Sequence, residues 1–180
     1  SRLVGEVEAK SGRVESLRSN LAEFPGHPET IAALTEVLMG RGQADVLAGV
    51  LESQAQTLEG LEQSEAAATL WNDLARLVQD SFGDTARAID ALGHVVALAP
   101  TVDALDQLAR MHPQLEQPAD AATVLRRRLD YTDKAGLVPV MLRLARAEVA
   151  AGAEAEASKT LQAAFDEAPE NAEVRKLLIK

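Results

Sequence analysis

Three arginines recur at nearly regular spacing in this chain, and each ends the tripeptide Leu-Ala-Arg. Arg76, Arg110 and Arg146 are separated by 34 and 36 residues. A guanidinium group can donate two parallel hydrogen bonds to one carboxylate, so a row of arginines suits a carboxylate-rich peptide or a terminal carboxylate. The spacing therefore predicts a surface for an acidic partner, provided that the fold brings the three side chains into line.

The same arginines have an alternative role inside their own helices. Asp73 precedes Arg76 by three residues, and Asp106 precedes Arg110 by four. Opposite charges at these spacings stabilise a helix by roughly 0.2–0.5 kcal/mol per pair. Such pairs also neutralise the charge that a ligand would meet. The sequence leaves both roles open.

Residue types that commonly carry catalysis or bind metals are missing or badly spaced. The chain has no cysteine, and its three histidines (His27, His94 and His112) do not form a metal-ligand spacing. We find no glycine-rich phosphate loop, no nucleophile motif and no pair of catalytic carboxylates. We therefore expect a protein that is not an enzyme and has no metal or other cofactor.

Composition and charge narrow the structural class and the kinds of partner. Hydrophobic residues make up 47% of the chain but aromatic residues only 3%, so the apolar content is mostly alanine, leucine and valine, which favours helices. A net charge of −10 disfavours nucleic acid and anionic membranes. No apolar run approaches the roughly 20 residues that span a bilayer.

Arginine outnumbers lysine, which is typical of a GC-rich bacterial genome. We expect a piece of a larger bacterial protein, from either the cytoplasm or the periplasm.

The tripeptide belongs to a longer repeat with a period near 34 residues. In each copy, a first helix presents a leucine and a small residue to a neighbouring helix. A turn containing glycine follows. A second helix, which also carries a small residue, then ends at a proline. The clearest copy contains Trp71, Leu74, Ala75, Val78, Gly83, Ala88, Leu92 and Pro100. This pattern resembles the tetratricopeptide repeat (TPR). The resemblance implies an all-α fold, a right-handed α-solenoid of helix-turn-helix repeats, with about four or five hairpins and a C-terminal capping helix.

We expect one repeat domain over residues 1–180. Its approximate repeats are 1–26, 27–63, 64–100, 101–135 and 136–169, followed by the capping helix 170–180. In the first copy, a helix ending near Lys10 is expected to precede a second helix that buries Val14, Leu17, Leu21 and Phe24. Trp71 is expected in the core.

In the TPR family, the first helices of the repeats line a concave face that contacts the ligand. The resemblance therefore places six residues on that face: Arg76, Arg110, Arg146, Asn72, Asp106 and Glu36. Glu6 and Glu36 replace the arginine in the first two copies, so this groove would be acidic at one end and basic at the other. Arg126, Arg127 and Arg128 cannot share one helix face, so salt bridges or solvation are expected for them.

The resemblance implies a protein-interaction scaffold that holds a protein or peptide partner in the concave groove. The alternative is a structural spacer, or a module that stacks on its own copies through the terminal helices. The apolar pair Leu177 and Leu178 near the end of the chain motivates that alternative.

Overall fold

The structure, a computed structural model, describes residues 2–178, with side chains from residue 12 onward. Every regular element in this part of the chain is helical. Backbone packing divides the chain after Ala99 into two compact units, called unit 1 and unit 2 below. The single domain over 1–180 and the repeat boundaries stay predictions.

Helices connected by short turns make up both units. In unit 1 they are α1 (Arg2–Glu23), α2 (Pro28–Met39), α3 (Ala44–Gly60), α4 (Ser64–Phe82) and α5 (Thr85–Leu98). In unit 2 they are α6 (Val102–Met111), a 3₁₀ turn (His112–Leu115), α7 (Pro118–Leu129), α8 (Lys134–Ala150), α9 (Glu154–Glu167) and α10 (Ala172–Leu178).

Unit 1 has an aliphatic core in which α4 packs against both α3 and α5. Leu74, Ala75 and Val78 are buried on α4, and Ala88 is buried on α5. Burying a leucine side chain contributes about 1.5–3 kcal/mol, so the periodic leucines supply much of the stability. Trp71 is 2% exposed, which confirms its predicted place in the core.

The first copy of the repeat departs from the prediction. A single helix, α1, runs through the expected break near Lys10. Val14 and Leu21 are buried as predicted and Leu17 is half-buried, but Phe24 is 56% exposed. Phe24 follows the last residue of α1, so the helical period that predicted its burial no longer applies there. The side chain of Glu6 lies outside the described residues.

Several helix starts carry clear local sequence signals. Asp84 is the N-cap of α5, and its Oδ1 accepts a hydrogen bond from the Arg87 backbone N–H at 3.0 Å. Pro28 and Pro118 lie in the first turns of α2 and α7. At α4 the N-cap is Gln63, which makes no capping side-chain bond, and Ser64 is the first residue of the helix.

The same backbone turn ends helices in both units. The N–H of Gln63 donates to the carbonyl of Leu58 at 2.9 Å, and the N–H of Gln117 donates to the carbonyl of His112 at 3.0 Å. In each turn the preceding residue has a left-handed backbone: φ is 58° at Glu62 and 57° at Glu116. This bond pattern satisfies carbonyls that a helix end leaves without partners.

Unit 2 has two small clusters of buried residues. One joins α6, α7 and α8 through residues that include Leu125 and Leu144. The other joins α8 and α9 to α10, where Val174 is fully buried and Leu177 and Leu178 pack against the cluster. Helix α10 therefore covers apolar surface of α8 and α9, which confirms the predicted capping helix.

Candidate partner-binding surface

The three repeat arginines differ in their partners. Arg76 is exposed, and its Nη1 lies 4.0 Å from the carboxylate of Asp73. Arg146 on α8 forms an ion pair with Glu173 on α10. Arg110 is exposed and has no ion pair among the described residues. Two of the three arginines are therefore engaged by a carboxylate, one of them only at the limit of an ion pair.

Asp106 does not pair with Arg110, so that predicted helix pair is wrong. Its carboxylate accepts hydrogen bonds from Arg128 on α7 and from Arg143 on α8, the first at 3.2 Å. Burial raises the pKa of Asp106, but the hydrogen bonds and charges of Arg143 and Arg128 outweigh it and hold the pKa below its ordinary value. Asp106 therefore joins α6, α7 and α8 of unit 2.

A second carboxylate in unit 2 is buried, and sequence reasoning missed it. Glu148 on α8 is 2% exposed. It accepts a hydrogen bond from Arg126 on α7 at 2.7 Å and another from the Thr160 hydroxyl on α9 at 2.8 Å. A signal was available, because Glu148 falls on the apolar period set by Leu144 and Ala145. Arg126 and Arg128 thus form salt bridges, as predicted for this run of arginines.

In unit 1, one carboxylate also joins three successive helices. Glu59 on α3 accepts a hydrogen bond from the indole N–H of Trp71 on α4. The same oxygen lies 3.1 Å from Nδ1 of His94 on α5. The rings of Trp71 and His94 are stacked, with centroids 4.1 Å apart. We assign this cluster to the fold, since it satisfies the polar atom of a buried tryptophan.

A groove of about 560 Å³ lies between α2 and α4, the first helices of the second and third predicted repeats. Its floor contains the buried side chains of Ile31 and Leu70, and Ala32 and Ala66 lie along its sides. Glu36 and Asp73 are the most C-terminal lining residues of their helices. Of the six predicted site residues, only Glu36 lines this groove.

Asp73 is the electrostatically unusual residue of this groove. Desolvation raises its pKa, and the charge of Arg76 only partly offsets that effect. Sequence reasoning treated Asp73 as a partner for Arg76 and did not predict that it faces a groove. Asn72 and Arg76 are not among the lining residues.

Two other cavities lie within single units. One of about 470 Å³ between α8, α9 and α10 is lined by Arg146, Val149 and Leu177 among others. Another of about 380 Å³ lies between α1 and α3. Among the described side chains of residues 12–178, no group of three is suited to hold a metal ion, and no described helix is long and apolar enough to cross a membrane.

No protein-family model and no curated protein sequence matches this chain. Solved structures do match it. The crystal structure of MamA protein is 20% identical, covers 95% of this chain and 87% of its own, and has a TM-score of 0.52. The TPR-like repeats of a putative kinesin light chain from Podosopora anserina are 21% identical, with coverages of 92% and 90% and a TM-score of 0.53.

A third solved structure is YrrB, described as a TPR protein with an unusual peptide-binding site. It is 17% identical, covers 89% of this chain and 79% of its own, and has a TM-score of 0.52. Likeness at this level of identity concerns the fold. The chain has the all-α, TPR-like fold of helical hairpins that its repeat predicts.

Proposed function

We propose that this chain is a non-catalytic protein-interaction scaffold that binds a peptide or protein partner in the groove between α2 and α4. The observation that carries the proposal is the groove itself, a space of about 560 Å³ with an apolar floor between two first helices. Concave, mainly apolar surfaces with a few polar groups are the usual form of binding sites. The TPR-like fold supports the proposal, and YrrB offers a precedent for peptide binding on this fold.

The arginine row remains a proposal of its own. Arg76 and Arg110 are exposed, so an acidic segment could reach them. Binding at Arg146 would have to replace its ion pair with Glu173. Asp106 is held by two arginines, and we therefore assign it to the stability of unit 2. The proposed function assigns no groove contact to the remaining predicted residues, which are Arg76, Arg110, Arg146 and Asn72.

The alternative of self-stacking through the last helix has less support in the structure than in the sequence. Val174 is buried, and Leu177 and Leu178 are half-buried against the cluster that joins α8, α9 and α10, although both also line the cavity of about 470 Å³. Light scattering at high protein concentration tests this alternative, and a strict monomer would reject it.

A peptide selection with groove-blocking variants tests the proposed function. Peptides are selected from a random library on the unaltered chain and are then measured against Ala66→Phe, which places a ring in the groove. Ala86→Phe on α5 is the matched control, since Ala86 is also an exposed alanine of unit 1. Trp71 remains the single tryptophan in both variants, so its emission checks that unit 1 is folded.

We expect Ala66→Phe to weaken the selected peptides by at least about tenfold and Ala86→Phe to leave them unchanged. Equal binding to both variants would place the peptides elsewhere and reject the groove.

A further inference from the structure

The described polar side chains that line the α2–α4 groove offer a ligand only hydrogen-bond acceptors. The Thr35 hydroxyl already donates to the carbonyl of Ile31 at 2.9 Å, and the Thr69 hydroxyl donates to the carbonyl of Glu65 at 2.9 Å. Each hydroxyl has one proton, so only its lone pairs remain for a ligand. The other polar side chains of the lining are the carboxylates of Glu36 and Asp73, which accept hydrogen bonds when ionised.

Donors at the edge of the groove are already used. The backbone N–H of Gly26 donates to Oε1 of Gln54 at 2.8 Å, and Pro28 has no N–H. Among the described residues, no lysine, arginine or histidine lines the groove. A ligand that brings carboxylates would therefore meet acceptors and like charge, whereas a ligand that brings donors would meet complementary groups.

The two carboxylates also lack strong internal partners. Glu36 is exposed and has no ion pair among the described residues. Asp73 has only Arg76, at 4.0 Å. This contrasts with Asp106, which two arginines hold within unit 2. The negative charge at this end of the groove is therefore available to a cation.

We propose that the groove binds a cationic amphipathic segment of a partner protein, with apolar side chains on Ile31 and Leu70 and a neighbouring lysine or arginine at Glu36 and Asp73. The inference rests on the proposed function and names the chemistry of its partner. The partner segment is therefore cationic, whereas the arginine row predicts an acidic partner. A partly desolvated carboxylate strengthens its attraction to an incoming cation, since fewer waters screen the pair.

Fluorescence anisotropy with three labelled peptides tests this proposal. The peptides share their leucine and alanine positions, and their remaining positions are all lysine, all glutamine or all glutamate. They are titrated with the unaltered chain, with Glu36→Gln/Asp73→Asn, and with the matched control Glu167→Gln/Asp90→Asn. The control removes the same two charges from exposed positions of α9 and α5 that have no ion pair among the described residues.

We expect the unaltered chain to bind the lysine peptide most tightly and more weakly as salt rises. Glu36→Gln/Asp73→Asn should weaken that peptide about tenfold, which corresponds to about 1.4 kcal/mol. The control should change it by less than about twofold, because neither Glu167 nor Asp90 lines the groove.

Equal losses in the two double variants would show that only net charge attracts the peptide, and would overturn the proposal. So would failure of the lysine peptide to bind, or tighter binding of the glutamate peptide. If the glutamine or glutamate peptide binds and Ala66→Phe abolishes that binding, the proposed function stands and only the charge assignment fails. If no peptide depends on Ala66→Phe, the proposed function fails as well.

Discussion

In both units, the first helices of the predicted repeats carry carboxylates, but these carboxylates differ in their partners. In unit 1, Glu36 and Asp73 line a groove and have no ion pair or a single distant one. In unit 2, Asp106 on α6 is held by Arg128 and Arg143, which come from the two helices that follow. Both units carry acidic residues on the first helices of their predicted repeats. Among the described residues, arginines of other helices hold Asp106 and Glu148 in unit 2, whereas none holds Glu36 or Asp73 in unit 1.

The pKa directions of two aspartates express this difference. Burial raises the pKa of Asp73, because Arg76 is too distant to offset the lost hydration. Burial also raises the pKa of Asp106, but its two arginines reverse the outcome and lower the pKa. A carboxylate paired inside the fold contributes to stability, and one left without a close partner is available to a ligand. The comparison therefore separates structural acidic residues from candidate binding residues.

The largest expected effect comes from the buried glutamate of unit 2. Arg126→Ala leaves the carboxylate of Glu148 with the Thr160 hydroxyl alone at 2% exposure, and should lower the free energy of unfolding by about 2–4 kcal/mol. Urea unfolding followed by circular dichroism measures the loss. In a Glu148→Leu background, Arg126→Ala should cost less than about 1 kcal/mol, because no buried charge is then left behind. Equal costs in both backgrounds would contradict an internal pairing role.

The apolar half of the repeat was predictable from the sequence, and its ion pairs were not. Leu74, Ala75 and Val78 are buried because helical period alone decides which face meets a neighbour. Asp106 was paired in the prediction with Arg110, four residues away. Its actual partners are 22 and 37 residues away, and local spacing carries no information about them.

The groove of unit 1 was only partly foreseen. The TPR resemblance placed Glu36 on the ligand-contacting face, and Glu36 does line the groove. Asp73 was instead interpreted as the partner of Arg76, because the helix spacing of three residues fits an ion pair. The separation is 4.0 Å with Arg76 mostly exposed, so solvent competes well for this pair. Whether a side chain faces a groove depends on the next helix, which the sequence of one repeat does not specify.

A smaller effect is expected at Asp106, whose carboxylate is paired with two arginines in unit 2. Asp106→Asn should destabilise the fold by about 1–2 kcal/mol at neutral pH, because Arg128 and Arg143 lose charge-assisted hydrogen bonds. The lowered pKa means that the stabilisation is complete above the ordinary aspartate range and is lost as the pH falls through the native pKa. Unfolding curves of the two proteins should therefore converge in acid. A difference that stays constant with pH would mean that the charge of Asp106 is not what stabilises unit 2.

The smallest effect is expected at Asp73, and it has the opposite sign. The native pKa is raised, so the ionised carboxylate costs stability at neutral pH, and this cost disappears as the pH falls below the carboxyl range. Asp73→Asn should therefore raise the free energy of unfolding by a few tenths of a kcal/mol at neutral pH and leave it unchanged in strong acid. Thermal unfolding at both pH values measures the change, with Asp90→Asn on α5 as the control. A variant that gains stability while losing affinity for the lysine peptide would show that Asp73 is kept at a cost to the fold. Loss of stability at neutral pH would instead assign Asp73 to the fold, together with Asp106.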